Sequence, residues 1–289
     1  MNAVDHNNVV IFDDRGIPSI MCRFVRPKDT EEVPAVFKIG DKVADAIYIS
    51  KYPNIVIDGR AYSMPMADPT VNITFDEAVQ ACRCKGLGWH LMTAVEYEYL
   101  LNQSREKGTM PHGNTDWGKD YYHNEEQGKV SNLGRTYTGT GPVTWNHDHT
   151  PYGVSDLNGN VWEWLAGLRI KDGVIEFIPG NKAASPYCDL SKDSTEWQQA
   201  ETSKGPVRAN VECGEITITD AVAADDYEPN YDGVRIEELE VKLSEIPQVL
   251  KDLGIIPDKR AEEEGKTYVY FDATEGEYLP FRGSAFNNT

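Results

Sequence analysis

The run Tyr152-Gly153-Val154-Ser155-Asp156-Leu157-Asn158-Gly159-Asn160-Val161-Trp162-Glu163-Trp164 constrains the fold of this chain more than any other stretch. It leaves a Pro-Tyr-Gly turn and passes through Asn158-Gly159, the strongest short turn signal, because both residue types tolerate φ > 0. Val161-Trp162-Glu163-Trp164-Leu165 follows, with the aromatic and β-branched content that suits a strand. In a strand the two indoles share one face and Glu163 takes the other. A paired-indole face is a large apolar mass that the rest of the chain must cover. The segment is therefore expected as a buried strand at the centre of a core, ahead of any direct ligand role.

Two helices are predicted upstream of it. Thr74-Phe75-Asp76-Glu77 and Thr93-Ala94-Val95-Glu96 are both capping boxes, in which the threonine accepts from a free amide and the glutamate reaches back. The first helix continues through Val79 and Cys82 towards a C-cap at Gly86; the second presents Tyr97, Leu100 and Leu101 on one face and ends at Gly108. Residues 1–44 read as a strand-rich arm, with strands at 9–12 and 20–25, and 46–52 alternates as a half-buried strand. The polar stretch 108–150 is long enough to be functional surface, and it holds Trp117, Tyr121, Trp145 and the triplet His147-Asp148-His149. Histidines at i and i+2 can chelate on one strand face, yet no third ligand stands at a recognisable spacing, so no metal is expected.

Downstream, residues 167–276 read as a large insertion. Asp172-Gly173 predicts a hairpin between 168–170 and 174–178, and 214–222 alternates as a strand. Asp225-Asp226 opens an acidic turn, a helix starts near Pro247, and Tyr268-Val269-Tyr270-Phe271 is expected to return to the core.

The formal net charge is −19, from 28 Lys plus Arg against 47 Asp plus Glu. That balance argues against a nucleic-acid or anionic-membrane binder, since phosphate contacts need clustered basic residues. No run approaches the ~18 apolar residues of a membrane span, so no membrane insertion is expected. The N-terminus shows no secretory pattern, which predicts cytoplasmic synthesis. The five cysteines, Cys22, Cys82, Cys84, Cys188 and Cys213, include no Cys-x-x-Cys and read as free thiols. The acidic composition leaves Ca²⁺ open, but no Asp-x-Asn-x-Asp-Gly loop occurs, so no cofactor is expected.

Gly-Val-Ser-Asp-Leu-Asn-Gly-Asn-Val-Trp-Glu-Trp resembles the signature of the formylglycine-generating enzyme (sulfatase-modifying factor) family. Three further pieces match in order: the two capped helices, Met110-Pro111-His112-Gly113-Asn114 where the family has a Pro-Trp-Gly-Asn turn, and Phe281-Arg282-Gly283-Ser284 near its Arg-Gly-Gly-Ser. The resemblance implies an α+β, C-type lectin-like fold over 45–289, with two helices around a small mixed or antiparallel sheet and Asn158, Gly159, Asn160, Trp162, Glu163, Trp164, Arg282 and Gly283 as its structural motif. It also implies that formylglycine formation needs a copper-binding cysteine pair after Arg-Gly-Gly-Ser. Here Arg282-Gly283-Ser284-Ala285-Phe286-Asn287-Asn288-Thr289 contains no cysteine. A thiolate mechanism without its thiol fails.

The missing cysteines, with an Asn-rich end, make the chain resemble instead the variable proteins of diversity-generating retroelements, which carry a hypervariable surface on this fold. The expectation is then a non-enzymatic binder with no catalytic residues. Ala285, Phe286, Asn287, Asn288 and Thr289, with Trp117 and Tyr121, would face a protein or glycan receptor from a phage tail or bacterial surface. A homo-oligomer stays open. The alternative is a formylglycine-generating-type oxidoreductase acting on a sulfatase cysteine.

Overall fold

The computed structural model describes residues 6–212, 214–223, 227–261, 264 and 267–287; Cys213, Asp225, Asp226, Asn288 and Thr289, all named above, lie outside the described residues. Helix α1 (Phe75–Arg83) starts at Thr74, whose hydroxyl accepts from Glu77 N while the Glu77 carboxylate accepts from Thr74 N at 2.9 Å. Helix α2 (Ala94–Lys107) repeats the arrangement with Thr93 and Glu96, and ends on Gly108 at φ 65°. Both capping boxes close as the sequence predicts, because each is satisfied within four residues. Helix α3 (Gln248–Asp252) follows Pro247 and buries Leu250.

The strands His6–Phe12 and Pro18–Val25 form an antiparallel hairpin that continues onto Ala46–Ser50. Through this pairing the N-terminal strands bury Cys22 and Phe24 in the same cluster as Ile47, Ile49, Tyr97, Leu100, Leu157 and Leu165. The largest sheet among the described residues has seven strands. At its centre the hairpin Leu168–Lys171 and Val174–Phe177 turns at Asp172 (φ 51°) and Gly173 (φ 77°), a two-residue loop of the expected Asp-Gly kind. Arg208–Glu212 and Glu215–Thr219 extend it, and Ile175, Val207, Ala209 and Ile218 join the main core. The chain is thus a mixed α/β protein with few helices and mostly antiparallel pairing.

One expectation changes. The central motif is not a continuous strand: only Glu163–Trp164 is extended, paired with Phe281–Arg282. Positive φ at Asp156 (61°), Gly159 (75°) and Asn160 (67°) coils the chain just before it. Asp, Gly and Asn are the residues that tolerate that region, so the composition favours a looped approach over a long strand. As a result the indoles are not equally buried. Trp164 packs edge-on against Phe75 and donates its Nε1–H to Ile73 O at 2.9 Å, whereas Trp162 is 42% exposed. The strand Tyr268–Asp272 pairs with Tyr231–Arg235 in a two-stranded ribbon, from which Phe271 packs against the main core.

Candidate functional site

Backbone close approach assembles the centre of the molecule. Asn160 N donates to Asn114 O at 2.7 Å, and the two buried side-chain amides are linked at 3.2 Å. The Asn160 carboxamide also makes a pair of hydrogen bonds with the Thr136 backbone, accepting from its N at 2.8 Å and donating to its O at 3.1 Å. The Phe281–Ser284 segment is held to the same coil: Gly159 N bonds to Gly283 O, and Tyr97 Oη, from α2, donates to Leu157 O at 2.6 Å. Segments far apart in sequence thereby converge on 156–164.

A cavity of about 170 Å³ opens beside this junction, with Tyr52, Trp89, Trp162, Glu163 and Trp164 in its wall. Trp162 and Trp164 both meet the half-exposed Phe281 ring edge-on, at 5.1 and 5.5 Å. Aromatic side chains therefore line a wall that carries two carboxyls, Glu96 and Glu163. Burial pushes the Glu163 carboxyl up to about 8, with the neighbouring Asp156 charge adding to it. Burial likewise raises Asp156 to about 6, against the amide of Gly139, which donates to it at 3.3 Å. At neutral pH Glu163 is a protonated acid that can donate a hydrogen bond or take part in proton transfer.

These two groups set a pH dependence. Both hold their protons more tightly folded than unfolded, so their stabilisation is complete below about pH 4 and is lost as pH rises through 6 and then 8. Stability is expected to fall by roughly 2 kcal/mol between pH 5 and 8, allowing for partial exposure of Glu163. Glu163→Gln should flatten most of that fall; urea unfolding at pH 5 and 8 would reject the assignment if the two proteins kept the same slope.

The residues expected to contact a receptor are only partly brought together. Trp117, 59% exposed, donates its backbone N–H to Phe286 O at 2.7 Å, and the two rings meet edge-on at 5.1 Å. Phe286 N reaches Asn160 O at 3.3 Å, so this segment is anchored to the motif as well as displayed. Ala285 is half-buried and Asn287 exposed. Tyr121 is 46% exposed and packs edge-on to Tyr122. His147 and His149 turn to different partners: His147 is buried and accepts from Val154 N through Nδ1, while His149 Nε2 faces Met110 O. Sequence spacing did not mark Asp156 or Asn114 as central, since their roles come from contacts across the chain.

The described cysteines do not fit a copper dithiolate. Cys22 is buried against Tyr152 O and Asn8, and burial pushes its thiol up to about 12. Burial also pushes Cys82 and Cys188 up to about 11. Cys84 accepts from Gln80 at 3.0 Å. Among the described residues no group of three or more His, Cys, Asp or Glu side chains could hold a metal ion.

The profile of the sulfatase-modifying factor enzyme 1-like domain family matches residues 51–207, more than half of the chain. The chain belongs to that family. It is similar to the formylglycine-generating enzyme of Mus musculus, at 36% identity over 105 residues, 34% of this chain and 27% of the mouse protein. The chain thus matches about a quarter of that relative's length. These findings correct the expectation of a non-enzymatic binder: the family is one of sulfatase-modifying enzymes, and the mouse relative is itself an enzyme. The family match also runs forty residues past Gly167, into the region read as an insertion.

Proposed function

We propose that this chain forms the substrate-holding scaffold of a formylglycine-generating-type oxidoreductase acting on a sulfatase cysteine, built on a C-type lectin-like fold. Family membership supports the reaction class. The observation that carries the reading is the junction at 156–164, where Phe281–Arg282 pairs with Glu163–Trp164 and leaves Trp162 of the cavity wall exposed, with the exposed Phe281 ring packed edge-on against it. Exposed aromatics at a concave mouth suit an extended peptide, and the neutral Glu163 acid can hydrogen-bond a polar group of it. The oxidation step is assigned to no described residue, because none of the described thiols forms the pair that such chemistry needs.

The test is incubation of a short cysteine-containing peptide with the protein under oxygen and a thiol reductant, which supplies the two electrons beyond the peptide's own two that reduce O₂ to water, with the serine peptide as control. An aldehyde-reactive hydrazide and mass spectrometry follow conversion, while Trp fluorescence follows binding. Aldehyde formation on the cysteine peptide is expected. Trp162→Ala should weaken binding by about tenfold or more, as loss of an aromatic anchor does. A peptide that binds but keeps its thiol would remove the oxidoreductase reading; a peptide whose binding ignores Trp162→Ala would remove the aromatic contact.

A further inference from the structure

The ribbon formed by Tyr231–Arg235 and Tyr268–Asp272 has two unlike faces. Its inner face sets Val234, Val269 and Phe271 against Val211, Ile216 and Ala273. Strand alternation places Tyr231, Gly233 and Arg235 of one strand and Tyr268, Tyr270 and Asp272 of the other on the outer face. The three tyrosines are 56%, 51% and 56% exposed, and they follow one another along the ribbon at successive two-residue levels. Tyr270 lies opposite Gly233 in the ladder.

The Tyr270 ring covers Gly233. A Cβ at Gly233 would fall 2.3 Å from both Cδ1 and Cε1 of Tyr270 and 3.1 Å from its Cγ. Those distances put the Cβ position out of the ring plane, above the Cδ1–Cε1 edge, so the ring leans over the glycine and turns its other face outward. The neighbouring rings are nearly parallel to it: Tyr231 at 13° with centroids 6.1 Å apart, Tyr268 at 25° and 6.2 Å. Exposed aromatic clusters of this kind mark binding surfaces more often than chance, since burying them on their own protein would be more favourable.

We propose that this face binds an uncharged oligosaccharide, with successive pyranose rings laid on Tyr231, Tyr270 and Tyr268. A pyranose presents an apolar C–H face, which suits a flat ring, and a rim of hydroxyls, which suits donors and acceptors beside it. The platform supplies one of each at its two ends. Arg235 stands opposite Tyr268, and Asp272 stands opposite Tyr231. Both end charges already have partners, Arg235 a Glu237 carboxylate at 3.9 Å and Asp272 the Thr274 amide and hydroxyl, so the face is matched to a neutral ligand, and an anionic one also meets the field of a chain whose net charge is −19. This site is separate from the cavity at Trp162 and Glu163 and does not depend on the oxidoreductase reading.

Affinity electrophoresis and titration calorimetry against cellohexaose, mannohexaose and maltohexaose, with an Arg-rich peptide as comparison, test it on the full chain. Binding of at least one hexasaccharide is expected, weakened tenfold or more by Tyr231→Ala and by Tyr268→Ala, whose side chains are exposed and whose loss should leave the unfolding midpoint unchanged. Tyr270→Phe, which keeps the flat ring over Gly233, should retain binding. Capture of the basic peptide in place of every sugar, sugar binding that survives both alanine variants, or no binding of any hexasaccharide would each overturn the proposal.

Discussion

Gly113→Ala is expected to destabilise the protein by more than about 4 kcal/mol, enough to unfold much of it at 25 °C. A Cβ at Gly113 would stand 1.7 Å from Asn158 O and 2.5 Å from Asn158 C. Both are backbone atoms of the central coil, which cannot yield as a flexible side chain would. The fit is reciprocal, since a Cβ at Gly159 would meet Asn114 O at 2.4 Å. Moving the 113–114 turn outward would also break the Asn114–Asn160 links and the bond from the Asn114 side chain to Gly134 O, leaving buried amides and carbonyls unpaired at about 1–3 kcal/mol each. Gly16→Ala is the control. Gly16 sits at φ +78° with nothing within 4 Å of its added Cβ, so only backbone strain of about 1 kcal/mol is at stake. Urea unfolding followed by Trp fluorescence separates the two, and equal losses would show that the interlock does not hold the centre together.

That contrast also shows what the sequence could reveal. The capping boxes at Thr74 and Thr93 and the Asp172-Gly173 turn were legible because each is settled by residues within four positions of one another. Gly113 was legible as part of a turn, but its collision partner lies 45 residues further along the chain. Trp162 and Trp164 show the same limit. Period-two alternation puts both on one face of a strand, but it cannot say that Phe281 will leave Trp162 open while Phe75 and Ile73 enclose Trp164. The motif therefore announced its importance while hiding its geometry. Asp156 and Glu163 were hidden further, because their weakened acidity depends on burial that only the folded chain creates. The family resemblance was carried by a specific motif and holds. The inference against an enzyme rested on absent cysteines, a statement about one segment that the match over 51–207 overrules.

Arg105→Ala is expected to cost roughly 3–5 kcal/mol, the usual loss when one partner leaves a buried ionic cluster. The Arg105 side chain is only 6% exposed and bonds Glu98, Asn102 and both oxygens of Glu264, the last at 2.8–3.1 Å. Arg282 completes the cluster, donating to Glu98 at 3.3 Å and to Leu253 O and Gly254 O at 2.8 and 3.0 Å. Without Arg105, the carboxylates of Glu98 and Glu264, at 1% and 10% side-chain exposure, would have to be neutralised or hydrated. By comparison, Lys242→Ala removes an exposed pair with Glu240 and should change stability by no more than about 0.5 kcal/mol. The cluster also bears on the candidate site, because Arg282 belongs to the strand that carries Phe281 to Trp162. Arg105→Ala is therefore expected to weaken peptide binding at Trp162 even under conditions where the variant stays folded. Thermal unfolding at pH 7 with peptide titration checks both links. A stability loss no larger than that of Lys242→Ala would mean that the Arg105 ion pairs do not hold this part of the molecule.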